Sequence, residues 1–225
     1  MVNMIATPTG IGIQTMTDSK TTLLQISVGM SFFTHYQSQE TYTLGILSTT
    51  LETLVKTAKA EEMVGFSYDG HGDVLLVRIG VPQGGATTEY QVRLINIEED
   101  QMDIPAVDHD VIVDVDTHTF HDWKTKTGLA NGPVTFDFDV QNIRVSAVSD
   151  EWGTVQVSHP VAYTKFKEKR STTINNSSMF ALNILATCAK SMQFGILEDM
   201  PLTAVVWMGD TTKLALFIAP MMTDD

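Results

Sequence analysis

Through most of the chain, apolar residues alternate with polar ones or gather into short β-branched runs, separated by Gly, Asp and Asn. A pleated strand turns successive side chains to opposite faces, so a period of two predicts short strands with one face buried. Clear cases are Thr21–Ser27, Val74–Ile79, Tyr90–Ile95, Val111–Val115, Ile143–Val148 and Leu214–Ile218. Three stretches change to helical spacing, in which residues three and four apart share a face. They are Ser48–Lys59, with Leu51, Leu54 and Val55 together; Thr117–Leu129, with Phe120 and Trp123; and Ser178–Lys190, with Phe180, Ile184 and Leu185. Asp116 or Thr117, and Ser177 or Ser178, have the side-chain oxygens that cap the second and third of these. The expected fold class is α+β, dominated by strands.

The helices mark a repeat. In the first half a Gly-rich strand (Gly10–Met16), a second strand (Thr21–Ser27), the helix Ser48–Lys59 and strands up to Ile97 follow in order. The second half repeats that order with Asn142–Val148, Thr154–His159, Ser178–Lys190 and strands up to Ile218. Laying Gly10-Ile11-Gly12-Ile13 on Asn142-Ile143-Arg144-Val145 gives an offset of 132 residues, and the helices align at nearly the same offset. Two similar domains are expected, over 1–96 and 111–225, joined by an acidic connector over 97–110 that contains Pro105. The strand and helix read over Val111–Leu129 have no counterpart in the first half. The N-terminal domain is therefore expected to be incomplete at its start, through truncation, a wrong start, or a gap that something else covers.

Composition narrows the classes. The chain contains no run of about 18 apolar residues such as a membrane span needs. Met1–Gly10 lacks the basic flank and apolar run of a secretory signal. One cysteine, Cys188, cannot form an internal disulfide, which suits a reducing compartment. Fourteen Lys and Arg stand against 27 Asp and Glu, a net charge of -13, and such a sum opposes phosphate binding unless the positive charge is segregated. Within the three predicted helices it is segregated. Lys56, Lys59, Lys124, Lys126 and Lys190 outnumber Glu52 and Asp122, leaving these stretches at +3 and the remainder at -16.

Potential metal ligands concentrate at Asp108-His109-Asp110, followed by Asp114, Asp116, His118, His121 and Asp122. His118 and His121, three apart on a predicted helix, would with a neighbouring carboxylate suit a metal-dependent hydrolase. Against this, no HExxH-type motif occurs, and alternating Asp over Val111–Asp116 is what a half-exposed strand produces. Cys188 has no catalytic surroundings, Gly84-Gly85 reads as a turn, and Lys165, Lys167, Lys169 and Arg170 read as a solvated loop or edge strand.

Several segments, in order along nearly the whole chain, resemble the proliferating cell nuclear antigen family of DNA sliding clamps. The most specific is Met200-Pro201-Leu202 through Gly209-Asp210, then Lys213-Leu214-Ala215-Leu216-Phe217-Ile218-Ala219-Pro220 and the acidic Asp224-Asp225. Gly10–Asp18, Tyr42–Ile46, Tyr90–Asn96 and Gln101–Pro105 add to it. Aligned this way, the chain starts about 24 residues inside the family's pattern, in agreement with the gap left by the repeat.

The resemblance implies a ring, a homotrimer in that family, with strands outside and helices lining a hole for duplex DNA. Lys56, Lys59, Lys124, Lys126 and Lys190 would face DNA without regard to base sequence, and Thr53 and Thr125 stand where the family often has basic residues. Partner proteins, a polymerase among them, would insert a short motif into a pocket formed by Met16, Lys20, Thr21, Leu23, Met102, Ile104, Pro105, Pro201, Phe217, Ala219, Pro220 and Met222. Lys20 replaces a common histidine there and Phe217 a tyrosine. The subunit interface would pair Thr88, Tyr90, Val92 and Leu94 with Thr154, Val155 and Val157. The resemblance further implies a clamp loader, no enzymatic activity, no cofactor, no membrane partner, and a location in the nucleus or at a viral replication site. A monomeric clamp-fold processivity factor that holds DNA on one face is the alternative, with the hydrolase using His118 and His121 behind it. The family's modified loop lysine falls near Val140 or Gln141, so modification there is not expected.

Overall fold

A computed structural model describes residues 1–81, 85–98 and 101–221, and the chain divides into two units, Met1–Thr15 with Val28–Met102, and Met16–Ser27 with Asp103–Asp225. The first opens on a hairpin. β1 (Val2–Thr7) turns through Pro8-Thr9 into β2 (Gly10–Met16), with Asn3 opposite Gln14 and Thr7 opposite Gly10. β3 (Thr22–Gly29) has its Thr22–Ser27 stretch in the second unit. β4 (Tyr42–Ile46) pairs with the other side of β1 and leads into helix α1 (Ser48–Val55). A meander of β5 (Met63–Ser67), β6 (Val74–Gly80) and β7 (Thr87–Arg93) follows, with β6 in the middle. The alternation in β6 is as the sequence predicts: Leu75, Val77 and Ile79 are buried with Met4, Leu44, Ile46 and Val92, while Arg78 points out. Gly45 permits a close crossing, because a Cβ there would lie 2.0 Å from the Ile95 carbonyl oxygen.

The second unit begins its repeat one strand and one helix earlier, with β8 (Val111–Asp116) and α2 (Thr117–Thr127). β9 (Val134–Asp139), β10 (Asn142–Ser149), β11 (Gly153–Pro160), β12 (Tyr163–Phe166) and β13 (Arg170–Ile174) follow, then α3 (Asn176–Ala186) and β14 (Ser191–Ile196), β15 (Leu202–Met208) and β16 (Thr212–Ile218). One sheet has the order β12-β8-β14-β15-β16-β3 and the other β11-β10-β9-β13. Inward residues of both sheets, Val113, Phe136, Phe138, Val145, Phe194 and Leu216 among them, share one core with Phe120 and Trp123 of α2 and Met179, Leu182 and Leu185 of α3.

The elements of the two halves correspond. β1, β2 and β3 match β9, β10 and β11, with Val2 on Val134 and Gly10 on Asn142 at the offset of 132. From α1 through β6 the offset is 128, placing Ser48 on Asn176, Met63 on Ser191 and Val74 on Leu202. β1 and β9 are strands that the sequence reading passes over; each is a short alternating run ahead of a tight turn.

The helices are shorter than their sequence periodicity. α1, α2 and α3 stop at Val55, Thr127 and Ala186 rather than at Lys59, Leu129 and Lys190. Threonine hydroxyls compete for the last carbonyls: Thr57 Oγ1 donates to Leu54 O at 2.7 Å, and Thr187 Oγ1 to Ile184 O at 2.7 Å. After α2 the chain tightens into a 3-10 turn, Gly128–Ala130. Asp116 caps α2, accepting from the amides of His118 and Thr119. The cap of α3 is Asn175, not Ser177 or Ser178, since Asn175 Oδ1 accepts from Ser177 N at 3.1 Å while the Ser178 hydroxyl is buried against that of Thr22. No helix among the described residues is long and apolar enough to cross a membrane.

Candidate functional site

The five lysines assigned to DNA divide by environment. Lys124 and Lys126 lie in the last turn of α2, Lys56 is the C-terminal cap of α1, and Lys59 and Lys190 lie beyond the ends of α1 and α3. The sequence expectation of +3 on the helices is therefore corrected. Within their observed bounds, Lys124 and Lys126 balance Glu52 and Asp122, and α3 has no charged residue. The cations collect where helices end, which favours positive charge because the last carbonyls point there. Lys126 pairs with Asp122 at 2.7 Å and Lys56 with Glu52 at 2.5 Å, and the Glu52 carboxyl is held below its usual range by Lys56. Lys59, Lys124 and Lys190 have no ion pair among the described residues. The carbonyl of Lys190 accepts from Thr117 N at 3.0 Å, tying this lysine to the start of α2. At 1.5 Å of rise per residue, the backbone positions of Lys124 and Lys126 lie about 10–14 Å further along the helix.

Most of the partner-pocket residues lie in the second unit. Met16, Thr21, Ile104, Pro201, Phe217 and Ala219 are half-buried, Lys20, Pro105 and Pro220 are exposed, and Leu23 is buried. Strand pairing brings some of them together: Ala219 N donates to Thr21 O at 2.8 Å, and Phe217 stands opposite Thr203. Lys20 adopts a left-handed turn conformation (φ 54°) that leaves its side chain in solvent. Met102 belongs to the first unit, where the Gln14 amide grips its backbone twice, accepting from Met102 N at 2.7 Å and donating to Met102 O at 2.9 Å. Met222 lies outside the described residues.

A set of anchors around residues 108–110 escapes the sequence reading. The run Lys165 to Arg170 is not merely solvated, because each cation has a carboxylate partner. Lys165 holds Asp108 at 2.6 Å, Lys169 holds Asp139 at 2.9 Å, and Arg170 and Lys167 converge on the buried carboxylate of Asp110. Arg170 supplies two donors there, from Nε at 3.0 Å and Nη2 at 2.5 Å, and these with Lys167 hold the Asp110 carboxyl below its ordinary range. Between the two aspartates, His109 lies against Gly195, where a Cβ would come within 2.9 Å of the imidazole, and its Nε2 is 3.2 Å from Thr203 Oγ1. Burial, then the nearby Lys165, lowers the His109 pKa, and Asp108 opposes them. The available signal is the like spacing of Asp108/Asp110 and Lys165/Lys167, opposite charges that flank the start of β8 and the end of β12, two strands that pair.

The edges assigned to the subunit interface are free edges. Among the described residues β7 pairs only with β6, and β11 only with β10. Val92 is buried in the first core, with Tyr90 and Leu94 packed partly against it, and Val155 and Val157 pack against the second core. What these edges present is backbone, with Thr88 and Thr154 exposed beside it. His118 and His121 are both exposed, but the carboxylates next to them are engaged, Asp116 as a helix cap and Asp122 with Lys126. Among the described residues no group of three or more His, Cys, Asp or Glu side chains is placed to hold a metal ion.

Residues 1–103 match the family model described as "Proliferating cell nuclear antigen, N-terminal domain". The chain is 23% identical over 229 residues to the probable DNA polymerase sliding clamp 2 of Paramecium bursaria Chlorella virus 1, covering 100% of this chain and 83% of that protein. It is 20% identical over 232 residues to the proliferating cell nuclear antigen of Chaetomium thermophilum, covering 99% of this chain and 90% of that protein.

Proposed function

We infer that this chain is a divergent member of the proliferating cell nuclear antigen family and a DNA sliding clamp, a processivity factor that encircles duplex DNA and tethers replication and repair proteins. The observation that carries this reading is similarity over essentially the whole chain to two proteins of that kind, one viral and one fungal. Its partners are DNA and polymerase-type proteins, it assembles with further copies of itself, and it works where DNA is replicated, in the nucleus or at a viral replication site. Three subunits close the ring by pairing the edge of β7 with that of β11 in the neighbour. Backbone pairing at these edges needs no particular side chain, which suits valines already packed into each core. Lys56, Lys59, Lys124, Lys126 and Lys190 face the DNA, and residues 97–110 connect a domain over 1–96 with one over 111–225.

Short motifs of partner proteins dock at Thr21, Ile104, Pro201, Phe217 and Ala219, and a loader opens the ring. The clamp role assigns the chain no reaction and no cofactor. Two measurements test the reading. A solution mass near three times 24.8 kDa is expected, and a strict monomer at micromolar concentration would defeat the ring. Protein loaded on nicked circular DNA should stay bound through a high-salt wash and be released when the circle is linearised; equal retention on both forms would refute encirclement.

A further inference from the structure

The face of the second unit's sheet that is turned away from α2 and α3 carries a cleft centred on Trp207. Alternation decides which residues reach that face. Val113 and Val115 of β8, Met192 and Phe194 of β14, and Ala204 and Val206 of β15 are buried in the core shared with the helices, so Asp114, Gln193, Val205 and Trp207 point the other way. Strand register sets them side by side: Asp114 lies opposite Gln193, Gln193 opposite Val205, and Trp207 opposite Lys213 of β16. With Ala189 and Lys190, from the turn between α3 and β14, these four line a cleft of about 300 Å³.

A lone exposed aromatic residue is ordinary at a protein surface. Trp207, 52% exposed, is set apart by its surroundings. Its ring is a wall of the cleft, the buried Val205 gives the cleft an apolar floor, and Lys213 holds its Nζ 5.6 Å from the ring centroid. Neither Lys190 nor Lys213 has an ion pair among the described residues. In a chain of net charge -13, two unpaired cations beside one apolar slot select an anion that also has a flat apolar part.

Asp114 decides which kind of anion. Its carboxylate accepts from Thr164 Oγ1 and from Gln193 Nε2, each at 3.2 Å, and has no cation partner among the described residues. It would repel the phosphates of a nucleic acid, whereas a peptide can set carboxylates against the lysines and N–H donors against Asp114. β14 and β15 are each paired on both sides, so such a peptide docks through its side chains and not as an added strand. We propose that this cleft binds a short acidic segment of a partner protein, with an aromatic side chain stacked on Trp207 and the flanking carboxylates against Lys190 and Lys213. The inference stands on the second unit alone and not on the DNA-binding reading.

The test uses chain 1–225 and a synthetic pentapeptide, phenylalanine with two aspartates on each side and both ends blocked. The chain has three tryptophans, so its proton–nitrogen correlation spectrum offers three indole signals, and Trp207→Ser identifies that of Trp207. The expected result is a saturable shift of the Trp207 signal while those of Trp123 and Trp152 stay in place. In calorimetric titrations Trp207→Ser should weaken binding by about tenfold or more. Lys213→Met, which keeps most of the stem and loses the charge, should weaken it by about two- to fivefold, and less at high salt. Both variants leave Lys190 in place, because that lysine is also assigned to DNA, and both should leave the circular dichroism spectrum unchanged. Absence of saturation below about 1 mM peptide overturns the proposal. So does equal binding by Trp207→Ser, equal binding of a peptide with asparagine in place of aspartate, or a shift of the Trp152 signal instead. Displacement of the peptide by oligothymidylate, with the same Trp207 signal moving, would assign the cleft to single-stranded nucleic acid and would equally overturn it.

Discussion

Replacing Lys124 and Lys190 with alanine removes the two cations of the second unit's candidate DNA surface that have no carboxylate partner among the described residues. A free lysine that meets a phosphate displaces a condensed counterion, and each such contact adds about 0.9 to the steepness with which log affinity falls against log salt. The double variant should therefore flatten that slope by about 1.8 per subunit in contact. Over a fourfold rise in salt, each lost contact corresponds to about 3.5-fold in affinity. Lys56→Ala is the control. Lys56 already faces Glu52 at 2.5 Å, so its charge is partly neutralised, and its removal should lower affinity at every salt concentration with less change of slope. Anisotropy titrations of a labelled duplex between roughly 50 and 200 mM salt measure all three proteins over the range in which phosphate contacts dominate. An unchanged slope for the double variant, or an equal flattening by Lys56→Ala, would refute the assignment of these lysines to phosphate.

Trp123 is fully buried and its indole nitrogen has no hydrogen-bond partner among the described residues, so Trp123→Phe should cost far less than Trp123→Ala, for which about 3–5 kcal/mol is expected in urea unfolding. Gly195→Ala should drive the His109 ring from its seat, and the loss in melting temperature should shrink when His109→Ala is already present, as a double-mutant cycle would report. The His109 pKa is lower in the folded chain than in the unfolded one, so the unfolded chain takes up the proton first. His109 thus destabilises the fold as pH falls from about 6.5 toward the folded value, and His109→Gln should remove that part of the pH dependence of unfolding. Arg170→Ala, which leaves the Asp110 carboxylate buried with Lys167 as its remaining cation, should lower the melting temperature more than Lys167→Ala does.

Much of this fold is legible from periodicity, because a core has to be filled by residues at fixed intervals. β6 and β8 alternate as strictly in the structure as in the sequence, and Phe120 and Trp123 identify the buried face of α2. β1 and β9 do not stand out in the sequence, since six alternating residues ahead of a turn make a weak periodic signal, although the repeat offset relates them. The helix ends differ from the periodicity for a local reason: the apolar spacing continues past Val55 and Ala186, but the hydroxyls of Thr57 and Thr187 take carbonyls from the terminal turn. Lys59 and Lys190 therefore lie outside the helices, and the charge expected there does not belong to them. Asp110, His109 and Gln14 were invisible as anchors because their partners, Arg170, Gly195 and Met102, are 60, 86 and 88 residues away in sequence. Alternation places a side chain on a face without naming what meets it there.

The charge-free α3 bears on how such a protein travels. A ligand held mainly by ion pairs must break and remake them at each step, so its mobility along a polyanion falls as its grip tightens. In the arrangement proposed above, a ring whose inward helices offer few cations, and whose α3 would present its exposed Phe180 and Ile184 instead of lysine, would have little such friction. Its residence on a closed circle is then a matter of topology, set by how often a subunit boundary opens, and added salt should speed its one-dimensional diffusion far less than that of a strongly cationic binder.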